Sequence, residues 1–434
     1  MKNYRLLRVN GVFHDTLIQD ILIRNKNFNS LLYRDALKIY EKNSFVYSFS
    51  FTNELQKLGN ETIEILADFK ELQALWAKEN NFKFSKDNWV GEILFEQIRL
   101  FKPDIIYFQS HHFLHSSRLF KKKTTSNTIE LIKSKFNFIK KIIVYSGFPT
   151  DYKLVLGADM VFYSPPSIQK FFKKAGIKSY LMYHYFDEKI FDKIKLQNRQ
   201  KKYNLTFLGS SRYPETRYYY LKSILEEFDI KIWLHENYKK TNNSINIDKI
   251  SLKQFVKEFI IITSSKINYD IVEKLRTLKI YNTKYHNFIN QIRRKILTNQ
   301  TNSQASLKKE FAEKCKNPVF GFEYYQILNN SKITLNMHAD LANGCVGNMR
   351  MFEATGMGSC LLNDYGSNLS ELFEDGKEII TFKSISDAKD KIRYLLNNPK
   401  EAEKIAKAGQ IKTLQKHTTK NRCEFLNDII NNDN

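Results

Sequence analysis

A chain of 434 residues is longer than one ordinary core requires, and 42% hydrophobic against 26% charged residues is the balance of a folded protein, which excludes a disordered one. Lysine and arginine, 69 against 46 acidic residues, leave a charge of +23, which draws the chain toward a polyanion: nucleic acid, anionic lipid or a phosphorylated small molecule. Cys315, Cys345, Cys360 and Cys423 form no CxxC pair and have no metal-ligand spacing, so a reduced, cytosolic setting without zinc is expected.

The opening MKNYRLLRVNGVFHD lacks the apolar centre of a signal peptide, and no uncharged apolar run reaches 18 residues, so no spanning helix is expected. Residues 4–9 read as the first strand and 35–47 as a helix. ETIEIL (61–66), β-branched and alternating with period two, is the next strand, reached through Leu58-Gly59-Asn60. Helix, glycine, strand is the grammar of an αβ unit. It repeats in the amphipathic helix 88–101, ended by Lys102-Pro103, and the apolar strand DIIYF (104–108). KKIIVY (140–145) then breaks at Ser146-Gly147, and MVFY (160–163) at Pro165-Pro166. Strands alternating with helices imply a parallel sheet covered on both faces.

After residues 177–183 the basic passage HYFDEKIFDKIKLQNRQKK connects two αβ halves, and a second series begins with YNLTFLGSS, a strand running into a glycine turn. A helix over 217–227 and a strand over 230–234 follow. A Lys-, Asn- and Ile-rich stretch, 239–319, breaks the rhythm, with helices expected over 253–262 and 281–297. Its Lys279, Lys284, Arg293, Arg294 and Lys295 suit either an anionic membrane surface or plain solvent. Order resumes with the helix 322–329, the strand 332–337, the helix 349–355, the strand 359–363 and helices over 388–396 and 400–413. The expected division is 1–184, a connection at 185–202, then 203–413 carrying the insertion. A last helix in 414–434 is expected to return to the first domain.

Open αβ sheets meet ligands at the carboxyl ends of their strands, where helix amino termini offer backbone donors to phosphate. Residues 336–364 read strand, loop, helix, strand, so Asn343 to Asn348, with Gly347 between, fall where a phosphate is expected. Arg350 and Glu353, three apart, share a helix face on which a guanidinium can meet phosphate while a carboxylate accepts from paired hydroxyls, as a ribose diol requires. An i to i+3 salt bridge on an exposed helix is the alternative.

NMRMFEATGMGSCLLNDYGSNLSELFEDGKEI, then LLNNPKEAEKIAKAG and KHTTKNRCEFL, resemble the carboxy-terminal donor domain of GT-B glycosyltransferases, particularly the spore-maturation-protein-like group. LGNETIEI, LQALWAKENN, FKPDIIYFQ, SPPSIQKFFKKAGIKSYLMYHYFDEKIF and LTFLGSSR resemble that group's amino-terminal half and hinge, and 239–319 is the gap. The resemblance implies an α/β fold of two Rossmann-like αβα domains facing across a cleft, and transfer of a sugar from a nucleotide-diphosphate sugar to a glycan or lipid-linked acceptor. It implies a role in bacterial cell-surface polysaccharide assembly, in the cytoplasm at the inner face of the membrane, with no essential metal or other cofactor.

By the same resemblance Glu353 grips the ribose, and Arg350, Gly209, Ser210 and Arg212 surround the diphosphate. Asn336, Gly347, Asn348 and the loop acid Glu371 complete the donor side. Retaining relatives often carry a second acid eight positions before the first, where this chain has Cys345, which leaves the sugar contact and the stereochemical outcome open.

KITLNMHAD ends a strand on His338 and Asp340, each a sugar or diphosphate ligand or a general base, or else a satisfied histidine and a capping aspartate. His111, His112 and His115 follow DIIYFQS, where an acceptor hydroxyl would approach; His111 and His115 have the spacing of a metal pair without a third ligand. Asp151, after Gly147-Phe148-Pro149, is a further catalytic candidate, and His184 and Asp187 lie in the hinge, as cleft groups or as tethers. Cys360 reads as a small buried strand residue. The competing functions are a nucleotide-sugar epimerase or hydrolase on the same fold, and a basic nucleic-acid binder, for which no reader motif is present.

Overall fold

The computed structural model describes residues 3–12, 15–44, 47–114, 119–120, 127–147, 152–194, 201–210, 215–235, 307–339 and 342–433. The helices expected at 253–262 and 281–297, with their basic face, lie outside the described residues, as do His115, Asp151, Arg212 and Asp340.

Apolar strands bounded by glycine, proline and polar turns build two sheets. β1 (Arg5–Asn10), β2 (Glu61–Leu66), β3 (Ile105–Phe108), β4 (Lys141–Ser146), β5 (Met160–Tyr163) and β6 (Ser179–Leu181) pair in the order β2-β1-β3-β4-β5-β6. All five pairings are parallel. β7 (Tyr203–Ser210), β8 (Ile230–His235), β9 (Cys315–Lys316), β10 (Ser331–Asn336), β11 (Cys360–Asp364) and β12 (Ile380–Phe382) form a second parallel sheet in the order β12-β11-β10-β7-β8-β9. Each sheet has one place where strand order reverses, between β1 and β3 and between β7 and β10, and such switch points are where αβ sheets take ligands.

Residues 1–196, 320–326 and 413–434 make one compact unit, and 197–319 with 327–412 the other. Neighbouring residues of a strand serve opposite faces in the first unit. Leu7, Val9, Ile106, Phe108, Ile142 and Val144 pack with Leu94, Ile98, Ile129 and Ile132 on one side. Leu6, Ile105, Tyr107 and Ile143 pack on the other with Phe51 and Leu55 of the helix Ser50–Lys57, and with Cys423, Leu426 and Ile430 of the helix Thr419–Asn432. In the second unit Leu205, Phe207, Ile232, Ile333, Leu335 and Leu362 meet Leu221, Ile224, Ile392 and Leu395.

Local chemistry sets the boundaries. The helix Trp89–Phe101 stops because Lys102, ahead of Pro103, turns left-handed at φ 48°. The helix expected at 35–47 is Tyr33–Asn43, ended by an extended Ser44.

One polar group sits at the heart of the first sheet. Arg8, on β1, is fully buried. Its guanidinium donates to Glu64 on β2 at 2.9 and 3.1 Å, to Gln109 Oε1 at 2.5 and 3.1 Å and to the Ser48 carbonyl at 2.9 Å, and lies 4.5 Å from the Phe51 ring centre. Burial still lifts the Glu64 carboxyl above the usual carboxylate range, outweighing the hold of Arg8, Asn10 and Thr52.

Removing one partner of such a pair strands a buried charge. Glu64→Leu is expected to lower the unfolding free energy of the first unit by about 3–5 kcal/mol, while Arg8→Met combined with Glu64→Leu recovers most of that loss. Urea denaturation of the three proteins checks the ordering.

Candidate functional site

The carboxyl end of β7 departs from its sequence reading. Gly209 and Ser210 make no turn: both stay in the strand, paired with Leu234 and His235. The glycine answers to a different constraint. A Cβ there would sit 3.0 Å from Arg350 Nη1 and 3.1 Å from Phe207 Cζ, so the bare backbone is what lets the Arg350 guanidinium approach the strand end.

A second arginine joins it. Arg217, in the first turns of the helix Glu215–Glu227, donates from Nη1 to the Ser210 carbonyl at 2.7 Å and from Nη2 to the Met337 carbonyl at 2.5 Å. It straps the end of β7 to the end of β10 across the switch point. The guanidinium carbons of Arg217 and Arg350 both lie 5.9 Å from the centre of the buried Phe207 ring. Sequence reasoning passed over Arg217, though a signal existed: a cation in a helix's first turns opposes the macrodipole, and so asks for another partner.

Glu353 lies in the helix Met349–Gly356, whose residues from Met351 onward are buried, with Glu353 itself 4% exposed. The exposed helix that the alternative reading needed is therefore not present. Arg350 and Glu353 remain three residues apart on one face, and Arg350 sits against Gly209.

The loop leading into that helix differs from expectation. Its donors were to face a phosphate, but the protein uses them itself. The Val346 N–H goes to Asn368 Oδ1 at 2.8 Å, those of Gly347 and Asn348 to His338 Nε2 at 3.0 and 3.1 Å, and that of Met351 to the capping Asn348 side chain at 3.2 Å. Asn336, fully buried, exchanges amide hydrogen bonds with Asn348 at 2.9 and 3.1 Å and donates to Asn363 at 2.7 Å. Asn336, Gly347 and Asn348 thus build the site's frame.

His338 is likewise corrected as a general base. Its Nδ1 lies 2.7 Å from Asp364 Oδ1, and the lone pair of its Nε2 is taken up by two N–H donors, so neither nitrogen is open to a substrate proton. Glu371 is exposed, in the short helix Leu369–Glu371. Cys345 is buried with its Sγ 4.0 Å from Ser367 Oγ. Burial pushes the Cys360 thiol up to about 12, as befits an inert strand residue.

In the first unit His111 is half-buried in the short helix His111–Leu114, directly after β3 and so at that sheet's switch point. His184 Nδ1 lies 3.1 Å from the Tyr47 hydroxyl and 3.3 Å from that of Tyr145. Asp187, 2% exposed, accepts from Ser48 Oγ, from Ser50 Oγ at 3.0 Å and from the Lys189 N–H at 3.2 Å, and so fastens residues 48–50 to the start of the helix Glu188–Asp192. Burial raises its carboxyl to about 6 in spite of those donors. Among the described residues no three His, Cys, Asp or Glu side chains gather so as to hold a metal ion, and no helix is long and apolar enough to cross a membrane.

Residues 262–428 match the glycosyl transferase-like family. No curated protein matches the chain. Among solved structures it is similar to a glycosyltransferase from Rickettsia africae at 12% identity, with a TM-score of 0.50 and full coverage of both chains. It is similar also to sucrose-phosphate synthase from Thermosynechococcus elongatus, at 7% identity and a TM-score of 0.50, over 99% of this chain and 98% of that one. The two parallel sheets with their helices are the α/β fold of the GT-B glycosyltransferases.

Two outcomes test these placements. Gly209→Ala is expected to move the Arg350 guanidinium and the Phe207 ring by a few tenths of an ångström, with a change in unfolding free energy below about 1 kcal/mol readable by denaturation. Asp187 gives a pH signature: the native state holds its proton more tightly than the unfolded chain, so the wild type loses stability relative to Asp187→Asn as pH rises from about 4 to about 6, and the difference is constant above that. Melting temperatures of both proteins across that range check the sign.

Proposed function

We propose that the protein is a glycosyltransferase that moves a sugar from a nucleotide-diphosphate donor to an acceptor hydroxyl. The observation that carries this reading is the meeting of Arg350 with Gly209 at the carboxyl end of β7, with Glu353 one helical turn further on. The family match over residues 262–428 and the shared fold support it.

The chemistry follows from the charges. As the bond from the sugar to the diphosphate breaks, negative charge grows on the leaving group, and a guanidinium fixed at the strand end stabilises it more than it stabilises the ground state. Glu353, buried beside it, accepts from the ribose hydroxyls. A leaving group met by guanidinium needs no divalent ion, and transfer is proposed to be metal-independent. With both nitrogens of His338 engaged, an acceptor hydroxyl must lose its proton to another group.

The finer reading is a member of the spore-maturation-protein-like group acting on a glycan or lipid-linked acceptor in bacterial surface polysaccharide assembly. The charge of +23 favours work close to an anionic membrane face.

Thermal stabilisation by nucleoside diphosphates of the common bases tests the donor. One base is expected to raise the melting temperature, by an amount equivalent to about 2.7 kcal/mol at a hundred times its Kd. Glu353→Gln and Arg350→Ala are each expected to weaken that binding by about 1.5–3 kcal/mol, as loss of a charged hydrogen bond does. Transfer is expected to persist in EDTA. Binding by no nucleotide to a folded sample would remove the proposal, and release of free or epimerised sugar at enzymatic rates without acceptor would replace transfer with hydrolysis or epimerisation.

A further inference from the structure

We propose that His338 is a positioning residue that sets the start of the helix carrying Arg350 and Glu353. Its bearing on a nucleotide-sugar site rests on the reading above, while the clamp itself rests on geometry alone.

Backbone N–H groups can only donate, so the two that converge on His338 Nε2 from Gly347 and Asn348 require a lone pair there, which leaves the ring proton on Nδ1. That proton faces Asp364 Oδ1 at 2.7 Å, and the same oxygen accepts from the His338 N–H at 3.0 Å. Both side chains are 6% exposed or less by residue, so the tautomer is held away from solvent.

The loop that His338 clamps is held on its other side by Asn368, which exchanges hydrogen bonds with the Val346 backbone at 2.8 and 2.9 Å, and by the Ser367 N–H on the Gly344 carbonyl at 3.0 Å. Asn343, Gly344 and Gly347 have φ of 50°, 78° and 126°, backbone that persists only where its surroundings fix it. Successive N–H groups in such a turn form a concavity that commonly takes an anion. Here a neutral imidazole fills it. Asn348, whose N–H the imidazole holds, is the N-cap of Met349–Gly356, so the ring fixes where that helix begins and hence where Arg350 and Glu353 stand. A displacement of about 1 Å at such groups costs about a hundredfold in rate.

Nitrogen-15 NMR of the wild-type full chain reads the tautomer directly: protonated Nδ1 with an unprotonated, hydrogen-bonded Nε2 is expected. Amide exchange at Gly347 and Asn348 is expected to quicken at least about tenfold in His338→Phe and to stay slow in His338→Gln, which keeps one acceptor and one donor. The nucleoside diphosphate that stabilises the wild type should bind about tenfold more weakly to the Phe variant and regain affinity in the Gln variant. A proton on Nε2, or unchanged amide exchange in His338→Phe, overturns the clamp. If no nucleoside diphosphate binds the wild type, the donor reading falls and the ring and amide results still decide the clamp. Should the Phe variant fail to fold, Asp364→Ala, which removes the acceptor of the Nδ1–H, takes its place: weaker amide protection upholds the pairing, and unchanged protection overturns it.

Discussion

Parallel pairing governs everything else in this chain. When every strand of a sheet runs the same way, all carboxyl ends emerge on one edge, and each return path must cross a face of the sheet. The faces are thereby covered, which is why IIYF of β3 and MVFY of β5 are apolar without a break, and the strand ends are where polar groups can meet solvent. The residues of interest follow that rule: Gly209 and Ser210 end β7, Asn336 ends β10 ahead of His338, Asp364 ends β11, and His111 follows β3.

Polar groups admitted into the second sheet bond to one another, as burial demands. Thr206 on β7 donates to Ser331 Oγ at 2.9 Å and lies 3.3 Å from Thr334 Oγ1 on β10, which in turn lies 2.7 Å from Ser359 Oγ. Asn336, Asn348 and Asn363 form a second such chain nearer the strand ends. These bonds carry modest net energy and impose a strict geometry, so they fix the register of β7, β10 and β11 at the edge where Arg217 and Arg350 gather.

Much of the architecture was legible because it rested on local signals. DIIYF, KKIIVY and MVFY read as strands through unbroken apolar runs closed by proline or glycine, and Lys102-Pro103 marked a helix end that the left-handed Lys102 makes literal. β9 and β12, two and three residues long, carried too little pattern to stand out. The frame of the site was illegible for another reason. His338 meets Asp364 across 26 positions, Val346 meets Asn368 across 22, and Arg217 reaches Met337 across 120. No periodicity within a window reports such pairs. Arg350 and Glu353 could be related from sequence because they share a helical spacing, whereas the choice for His338 between a general base and a satisfied histidine turns on two backbone donors that fold back onto it.

The way the donors are used has a consequence for recognition. A sheet-and-helix site usually meets an anion with backbone N–H groups, whose positions are fixed and whose charge is partial. At the loop before Met349 the N–H groups of Val346, Gly347 and Asn348 are taken up by Asn368 and His338, and the positive charge beside the end of β7 is side-chain guanidinium, a full charge on a longer arm. Such an arm needs its own support. Arg217 has carbonyls on both strand ends, and Arg350 has the space above Gly209 and a share of the Phe207 ring. The glycine, the aromatic ring and the histidine clamp are then three parts of one solution, in which the backbone is locked inward so that the side chains can face outward.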